Sequence, residues 1–324
     1  MPFGARLKSL AGVTVATLTG VLLSSCATLE SQSAAARLRQ TGALIDEVKT
    51  FGKSLGIEPT EALSRTTREA PALSMLWLWM QREGTLALEA PVDIRLAIGH
   101  GAAKERLKVE HVYRVDRYSV YYRQGNEFAD ARSVATVGFA EEPIVRRVRV
   151  VLHEDLHGDV NFALPWEIEE AIVTPLGSLG AVEYFRWKGD EKNLQNAAAS
   201  VREERQVSKE LNALAARAEN IFSWEGSIET AKQSILSLLP EYPAYQKPFE
   251  RQVRDQHAPT ALEAKLSHDL AYYRYFDLVA ELAEKAPSLK VLVADLKALP
   301  RDATPAVADR FLRNLNARYG AASR

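Results

Sequence analysis

The hydrophobic positions of the chain follow three different patterns between its start and its end. Leu10–Leu23 is an uncharged run of apolar and small residues. From residue 85 to 139, apolar and polar residues alternate over short runs, which is typical of half-buried strands. After Pro143, apolar residues recur every three or four positions, as on one face of a helix. These patterns predict an α+β fold that is mainly α, with a small N-terminal sheet at about 85–140 and a helical C-terminal half.

Alternation and turn residues predict where the individual strands and the first helices lie. The expected strands are 92–96, 108–115, 117–123 and 134–139. Gly125-Asn126 predicts a turn after the third of them. The helices expected before the sheet are 44–55, a short helix that begins at Pro59, and 72–81 after Pro71.

The region after Pro143 is predicted to be helical except around its prolines. Two helices at about 143–188 are expected to precede a helical part over 190–324. Pro175 predicts a break in the second of the two helices, and three prolines predict an irregular segment over 241–259. The remaining predicted helices are 191–222, 227–239, 260–286, 288–299 and 304–319.

The pattern of residues 1–26 predicts that they form a signal peptide, which is not part of the fold. Arg6 and Lys8 precede the apolar run, and Leu23-Ser24-Ser25-Cys26 ends it, which resembles the lipobox of bacterial lipoproteins. Cys26 is the only cysteine of the chain, and we expect a lipid on it to anchor the protein to a membrane. By resemblance to the sorting of Gram-negative lipoproteins, Ala27 favours the outer membrane, facing the periplasm. The alternative is a simple signal peptide or membrane anchor.

The mature chain is predicted to be a polar tether followed by one domain. An Ala-rich segment over 27–43 is the expected tether, and 44–324 is long enough to bury a large core as a single domain. The chain has 41 Lys and Arg against 42 Asp and Glu, so it has no excess of basic residues of the kind that binds nucleic acid. The charged helix over 191–222 is amphipathic and is a candidate surface for a protein partner.

A candidate zinc-binding motif lies at His153-Glu154-Asp155-Leu156-His157, which has the spacing H-E-x-x-H. On a helix, residues i and i+4 share a face, so both imidazoles can bind one ion while Glu154 stands beside it as a general base. Val148–Val151 is β-branched and alternating, which favours a strand instead. Glu141-Glu142-Pro143 is typical of a helix start, and we therefore favour the helix.

A catalytic zinc site needs a third protein ligand. Some zinc peptidases carry that ligand shortly after the second histidine, where this chain has Phe162 and Ala163. The other source is the next predicted helix, whose first turn holds Glu167, Glu169 and Glu170. The helix dipole favours acids at a helix start without any metal, so their position alone does not make them ligands.

These motifs together resemble a bacterial family of predicted aminopeptidases, which are zinc-dependent lipoproteins of the gluzincin type. The resemblance is carried by H-E-x-x-H, the short polar loop after it, and a helix with Leu176-Gly177 and Ala181–Phe185. Residues 136–143, residues 260–276 and the lipobox are also similar. Asp155, Pro175 and Pro259-Thr260 depart from the family pattern, which leaves a diverged or inactive branch as an alternative.

The resemblance implies a zincin-like metallopeptidase fold with Zn²⁺ bound by two histidines and one glutamate. Glu170 lies 13 residues after His157, which matches the position of the family's ligand glutamate. The implied metal ligands are therefore His153, His157 and Glu170.

The resemblance also implies a hydrolytic mechanism. Zinc lowers the pKa of a bound water towards about 7, and Glu154 takes its proton and passes it to the leaving amine. Tyr272 is implied as the donor to the developing oxyanion. Other candidates on the same predicted helix are His268, Tyr273 and Tyr275. Asp159 or Glu183 is expected to orient an imidazole.

The leading hypothesis from the sequence is an envelope zinc metallopeptidase that acts on peptides, and the resemblance makes it an aminopeptidase. The second hypothesis is a non-catalytic helical lipoprotein that acts as an interaction or scaffold module with a degenerate site. A third is a non-catalytic metal-binding protein. Amino-terminal and internal cleavage both remain compatible with the residues.

Overall fold

The computed structural model of the chain describes residues 13–67, 74–86, 94–98, 118–126, 133–159, 164–224 and 226–322. Most of these residues are helical, and the strands form one three-stranded and one two-stranded sheet. The predicted class, α+β and mainly α, is confirmed. The strand predicted over 108–115 lies outside the described residues.

The first helix, α1 (Val13–Ser54), is longer than the sequence predicts. Ala35, Leu38 and Thr41 are buried, although polar composition predicted a tether through residue 43. Their spacing continues into Ile45 and Val48, which are also buried, so one apolar stripe runs through the segment. From residue 33 onward, the chain is therefore a packed helix rather than a tether.

Residues 13–32, which include Cys26, form the first part of the backbone of α1. The signal peptide and the lipid on Cys26 stay predictions. Across the described residues, none of the helices combines the length and the apolar composition that a membrane span requires.

The three-stranded sheet consists of β2 (Ser74–Arg82), β3 (Ile94–Ile98) and β4 (Tyr118–Asn126), in the order β3-β2-β4 with antiparallel pairs. The prediction of a helix over 72–81 was wrong. Leu78 and Trp79 are both buried although neighbours on a strand point to opposite faces. A central strand buried on both faces reads as a continuous apolar run, which periodicity alone cannot distinguish from a helix.

The two-stranded sheet joins β1 (Arg65–Thr66) and β5 (Val134–Ala135) in parallel. The strand predicted over 134–139 ends at Ala135, because Thr136 accepts a hydrogen bond from the Phe139 amide and caps α2 (Val137–Glu141). The turn predicted at Gly125-Asn126 is instead the end of β4. The short helix predicted at Pro59 is absent from the described segment 57–64.

Three helices build the centre of the molecule: α3 (Ile144–Gly158), α4 (Trp166–Lys188) and α5 (Glu191–Phe222). The break predicted at Pro175 was wrong, because α4 continues through this proline. Packing on both sides supports the helix, since α4 contacts both α3 and α5. The apolar side of α5 packs within the molecule, with Leu211 and Leu214 fully buried, and the protein partner predicted for this helix stays a prediction.

The helices that follow are α6 (Ile228–Leu238), α7 (Pro243–Val253), α8 (Ala258–Tyr273), α9 (Phe276–Lys285), α10 (Leu289–Leu296) and α11 (Pro305–Ala322). A 3-10 turn, Leu239–Glu241, precedes α7. The irregular segment predicted over 241–259 was wrong, because Tyr245, Phe249 and Val253 form a buried stripe at a spacing of four. The single helix predicted over 260–286 divides between Tyr273 and Phe276.

The buried residues form two large clusters that meet at the start of α4. The first cluster includes Val148 and Leu152 of α3, Ile172 of α4 and residues of α1 and α9–α11. The second packs α5–α8 against Trp79 of β2 and Tyr121 of β4, and Trp166 at the start of α4 lies against it. The start of α4, which carries the candidate ligand acids over residues 167–170, therefore packs against both clusters.

Candidate metal centre

Helix α3 places the two histidines of the motif on one face. Val148, Val151, Leu152 and Leu156 bury the other side of the helix in the first cluster. The strand interpretation of Val148–Val151 was therefore wrong. The Nε2 atoms of His153 and His157 lie 3.1 Å apart, so both rings point at one place.

Helix α4 brings Glu170 to the same place. Its Oε2 lies 3.4 Å from Nε2 of His153 and 3.3 Å from Nε2 of His157. Tetrahedral zinc with bonds of about 2.0–2.1 Å requires ligand atoms roughly 3.3 Å apart. The three atoms have this spacing, so the predicted set of His153, His157 and Glu170 can hold a metal ion.

The chemistry of Glu170 also fits a cation. The residue is 7% exposed, and among the described residues its Oε2 has no hydrogen bond of good geometry. Burial raises the pKa of the carboxyl, but His153 and His157 outweigh burial and lower it below its ordinary value. A buried, ionised oxygen that faces two imidazole nitrogens is a donor set suited to zinc.

A close crossing of α3 and α4 makes this convergence geometrically feasible. A Cβ added at Gly177 would lie 3.1 Å from both the carbonyl oxygen of Arg149 and the Cβ of His153. At Gly180 an added Cβ would lie 2.8 Å from a side-chain methyl of Leu152. The two glycines allow α4 to lie against the turn of α3 that carries the first histidine.

Glu169 orients the second histidine, a role that the sequence did not assign to it. Its Oε1 lies 2.8 Å from Nδ1 of His157, and its Oε2 accepts a 3.4 Å hydrogen bond from the amide of Leu164. A proton on Nδ1 leaves Nε2 as the nitrogen that can bind a metal. Burial lowers the pKa of His157, but Glu169 and Glu170 outweigh burial and raise it to about 10, so a metal ion that binds Nε2 would displace the proton there.

The two residues expected to orient an imidazole lie elsewhere. Asp159 Oδ2 accepts hydrogen bonds from the amide of Glu58 and from Lys297. Glu183 pairs with Arg186 on the surface of α4. The sequence offered Glu169 as one of three acids within four positions, but adjacent helical positions differ by about 100° in direction. Which acid meets which imidazole depends on how α4 crosses α3.

Glu154 lies beside the ligands, as the motif predicts for a general base. Its Oε1 is 4.0 Å from Nε2 of His153, and its side chain is 13% exposed. Burial raises the pKa of Glu154, and the two histidines oppose that effect. The position suits a carboxylate that accepts a proton from a water next to the metal.

The four candidate oxyanion donors have different surroundings. His268 is buried and contacts Asp269, while Tyr275 is buried and donates a hydrogen bond to Pro305. Tyr272 packs its ring against His268 and against Trp166, with ring centres 5.1 Å and 6.1 Å apart. Tyr272 thus reaches the first residue of α4, one turn from Glu170, and its assignment stays a prediction.

Tyr273 contacts α3, the helix that carries the two histidines, through Arg149. Its side chain interacts with the guanidinium of Arg149, which lies one turn before His153. Arg149 also pairs with Glu204 of α5, and Glu204 accepts a 3.0 Å hydrogen bond from Ser178 of α4. Polar residues from four helices, α3, α4, α5 and α8, therefore form a cluster that adjoins the histidines.

No family model, curated protein or solved structure that was compared with the chain matches it. The geometry of the candidate metal centre is therefore the first basis for a proposed function.

Proposed function

We propose that the protein is a zinc-dependent metallopeptidase of the gluzincin type, with a zincin-like catalytic domain. The observation that supports this most is the mutual spacing of 3.1–3.4 Å among the three ligand atoms. Two of these residues belong to one motif, but Glu170 comes from another helix. A fortuitous H-E-x-x-H would not bring a buried carboxylate oxygen from a second helix to that distance.

The residues around the ligands support peptide hydrolysis. When bound, zinc would supply a water of lowered pKa and an electrophile for the peptide carbonyl. Glu154 would accept a proton from the attacking water and transfer it to the nitrogen of the amine that leaves. Glu169 would hold His157 in the tautomer that binds metal. Tyr272 is our candidate for the donor to the oxyanion.

The resemblance to predicted aminopeptidases supports the narrower proposal of cleavage at a free amino terminus. The lipobox at Cys26 supports anchoring by a lipid, and Ala27 supports the outer membrane with the protein facing the periplasm. In this proposal, the substrate is a peptide of the cell envelope.

The proposal is tested by zinc content and peptidase activity of the full-length chain. His153→Ala is expected to lose zinc and activity, whereas Glu154→Gln keeps zinc and loses activity, because Glu154 moves protons and does not bind the metal. His257→Ala is the matched control, since His257 is exposed at the start of α8 and bonds to Thr260. Equal zinc in the wild type and His153→Ala would refute the site.

Peptide pools with free and with acetylated amino termini separate the two modes of cleavage. An aminopeptidase is expected to cleave only the free pool, because acetylation removes the charge that the enzyme must recognise. Cleavage of both pools would indicate an endopeptidase. Full zinc binding without cleavage of either pool would favour a non-catalytic metal-binding protein.

A further inference from the structure

A buried carboxylate lies on the back of the metal-binding helix. Asp155 is two positions from each histidine of the motif, which places it about 160° around the helix from them. Its exposure is 1%, and its hydrogen bonds join it to Lys49 and Thr60 rather than to the metal ligands. Burying a charged side chain at a core-facing position costs free energy unless the charge is paired, so the partners of Asp155 must offset this cost.

The partners of Asp155 come from α1 and from the loop after it. Its Oδ1 accepts hydrogen bonds from Nζ of Lys49 at 2.6 Å, from the amide of Thr60 at 3.0 Å and from the hydroxyl of Thr60 at 2.9 Å. Lys49 also donates to the carbonyl oxygen of Thr60 at 2.8 Å. These four bonds close a ring, which we call the Asp155 clamp, between α1, the loop and α3.

The Asp155 clamp and α4 hold α3 from different sides. On the α4 side, Gly177 and Gly180 bring that helix into close contact with His153 and Leu152. On the other side, the clamp attaches α3 to α1. Because α4 also carries Glu170, the angle of α3 about its own axis sets the distance between the histidines and the third ligand.

Small rotations of α3 would disturb the metal site. An imidazole nitrogen lies roughly 6 Å from the helix axis, so a rotation of about 10° moves it by about 1 Å. A metal site tolerates ligand displacements of only about 0.2 Å. Apolar side chains pack without directional preference, whereas the three hydrogen bonds to one oxygen of Asp155 require one angle.

We propose that Asp155 is a positioning residue, which acts through Lys49 and Thr60 to hold α3 at the angle that lets His153 and His157 share a metal ion with Glu170. The inference rests on the proposed metal site. It also gives a role to the residue of the motif that departs from the family pattern.

The first test measures zinc affinity of the full-length chain by competition with a chelator. Asp155→Asn and Lys49→Met are expected to bind zinc about 10–100-fold more weakly, the range found when residues that support metal ligands are changed. Lys232→Met is the matched control, since Lys232 is also a buried lysine with a carboxylate partner, Glu83, and it lies outside α1 and α3. It is expected to lower stability and leave zinc affinity unchanged.

A spectroscopic measurement separates positioning from stability. The visible absorption of the cobalt-loaded protein depends on coordination geometry, so Asp155→Asn is expected to shift it and Lys232→Met is not. Wild-type affinity and an unchanged cobalt spectrum in Asp155→Asn would overturn the inference while leaving the zinc site in place. A wild-type chain that binds no zinc would overturn the proposed function and this inference together.

A double variant covers the case in which a single change prevents folding. Lys49→Met combined with Asp155→Leu replaces the buried pair by apolar groups, a change that often preserves stability. We expect this variant to fold with nearly wild-type melting temperature and still to bind zinc more weakly. Wild-type zinc affinity in the folded double variant would show that any packed pair suffices, and would overturn the inference.

Discussion

At the scale of single residues, two adjacent acids have different contacts at the candidate metal site. Glu170 points its Oε2 at both Nε2 atoms, and Glu169 contacts the far nitrogen of His157. Their side chains leave α4 in directions that differ by about 100°. One acid can therefore act as a metal ligand while the other orients the ring of His157. The sequence placed both acids at the helix start, and the structure distinguishes their roles.

Glu169→Gln is expected to weaken zinc binding by about 10–100-fold. An amide in place of the carboxylate is a poorer acceptor for the Nδ1 proton of His157, so the metal-binding tautomer becomes less favoured. Competition with a chelator measures the change. Glu167→Gln is the control from the same helical turn, and equal effects of the two variants would contradict the assigned role of Glu169.

A second prediction at this scale concerns Asp269 in the second cluster. Burial raises its pKa, but Lys265 and His268 outweigh burial and hold it below the ordinary value of 3.8. A carboxyl whose pKa is lower in the folded state stabilises the fold above its unfolded pKa, and this stabilisation is lost as the pH falls through the folded pKa. Asp269→Asn is therefore expected to cost about 3–5 kcal/mol at pH 7.

The difference in unfolding free energy between wild type and Asp269→Asn should shrink as the pH falls below about 4. Urea unfolding at neutral and at acidic pH measures it. Asp255→Asn, which changes an exposed aspartate, is expected to have little effect at either pH. A difference that stays constant down to the acidic limit would show that ionisation of Asp269 does not contribute.

At the scale of elements, the close crossing of α3 and α4 is the feature on which the site depends. Local signals were enough to favour α3 over a strand, because Glu141-Glu142-Pro143 is typical of a helix start. Tertiary packing determined the secondary structure of the elements that were predicted wrongly. Strand β2 is buried on both faces, and α4 and α7 continue through Pro175 and Pro248 because neighbouring helices support them.

Gly177→Ala is expected to weaken zinc binding and to lower stability by about 1–3 kcal/mol. The new methyl group would meet the backbone of Arg149 and the Cβ of His153 at 3.1 Å, and backbone atoms cannot move aside as a side-chain end can. Gly226→Ala is the control, because a Cβ there has nothing within 4 Å. Thermal unfolding and zinc competition measure the two effects, and wild-type zinc affinity in Gly177→Ala would contradict a role for the crossing.

At the scale of the whole molecule, the metal centre lies where the two buried clusters meet and where α1 is fastened to α3. The sequence predicted the class of the fold, His153, His157 and Glu154 from their own spacing, and Glu170 from a resemblance. It did not predict the partners of Glu169 and Asp155, because these contacts join residues that only the folded chain brings together. Asp155 meets Lys49 across 106 positions of sequence.

The most direct test of the central claim is X-ray absorption at the zinc edge of the zinc-loaded, full-length chain. We predict one zinc per chain with two imidazole nitrogens at about 2.0–2.1 Å and oxygen at about 2.0–2.2 Å, and loss of this signal in Glu170→Ala. An identical spectrum for the wild type and Glu170→Ala, or zinc coordination without two imidazoles, would contradict it.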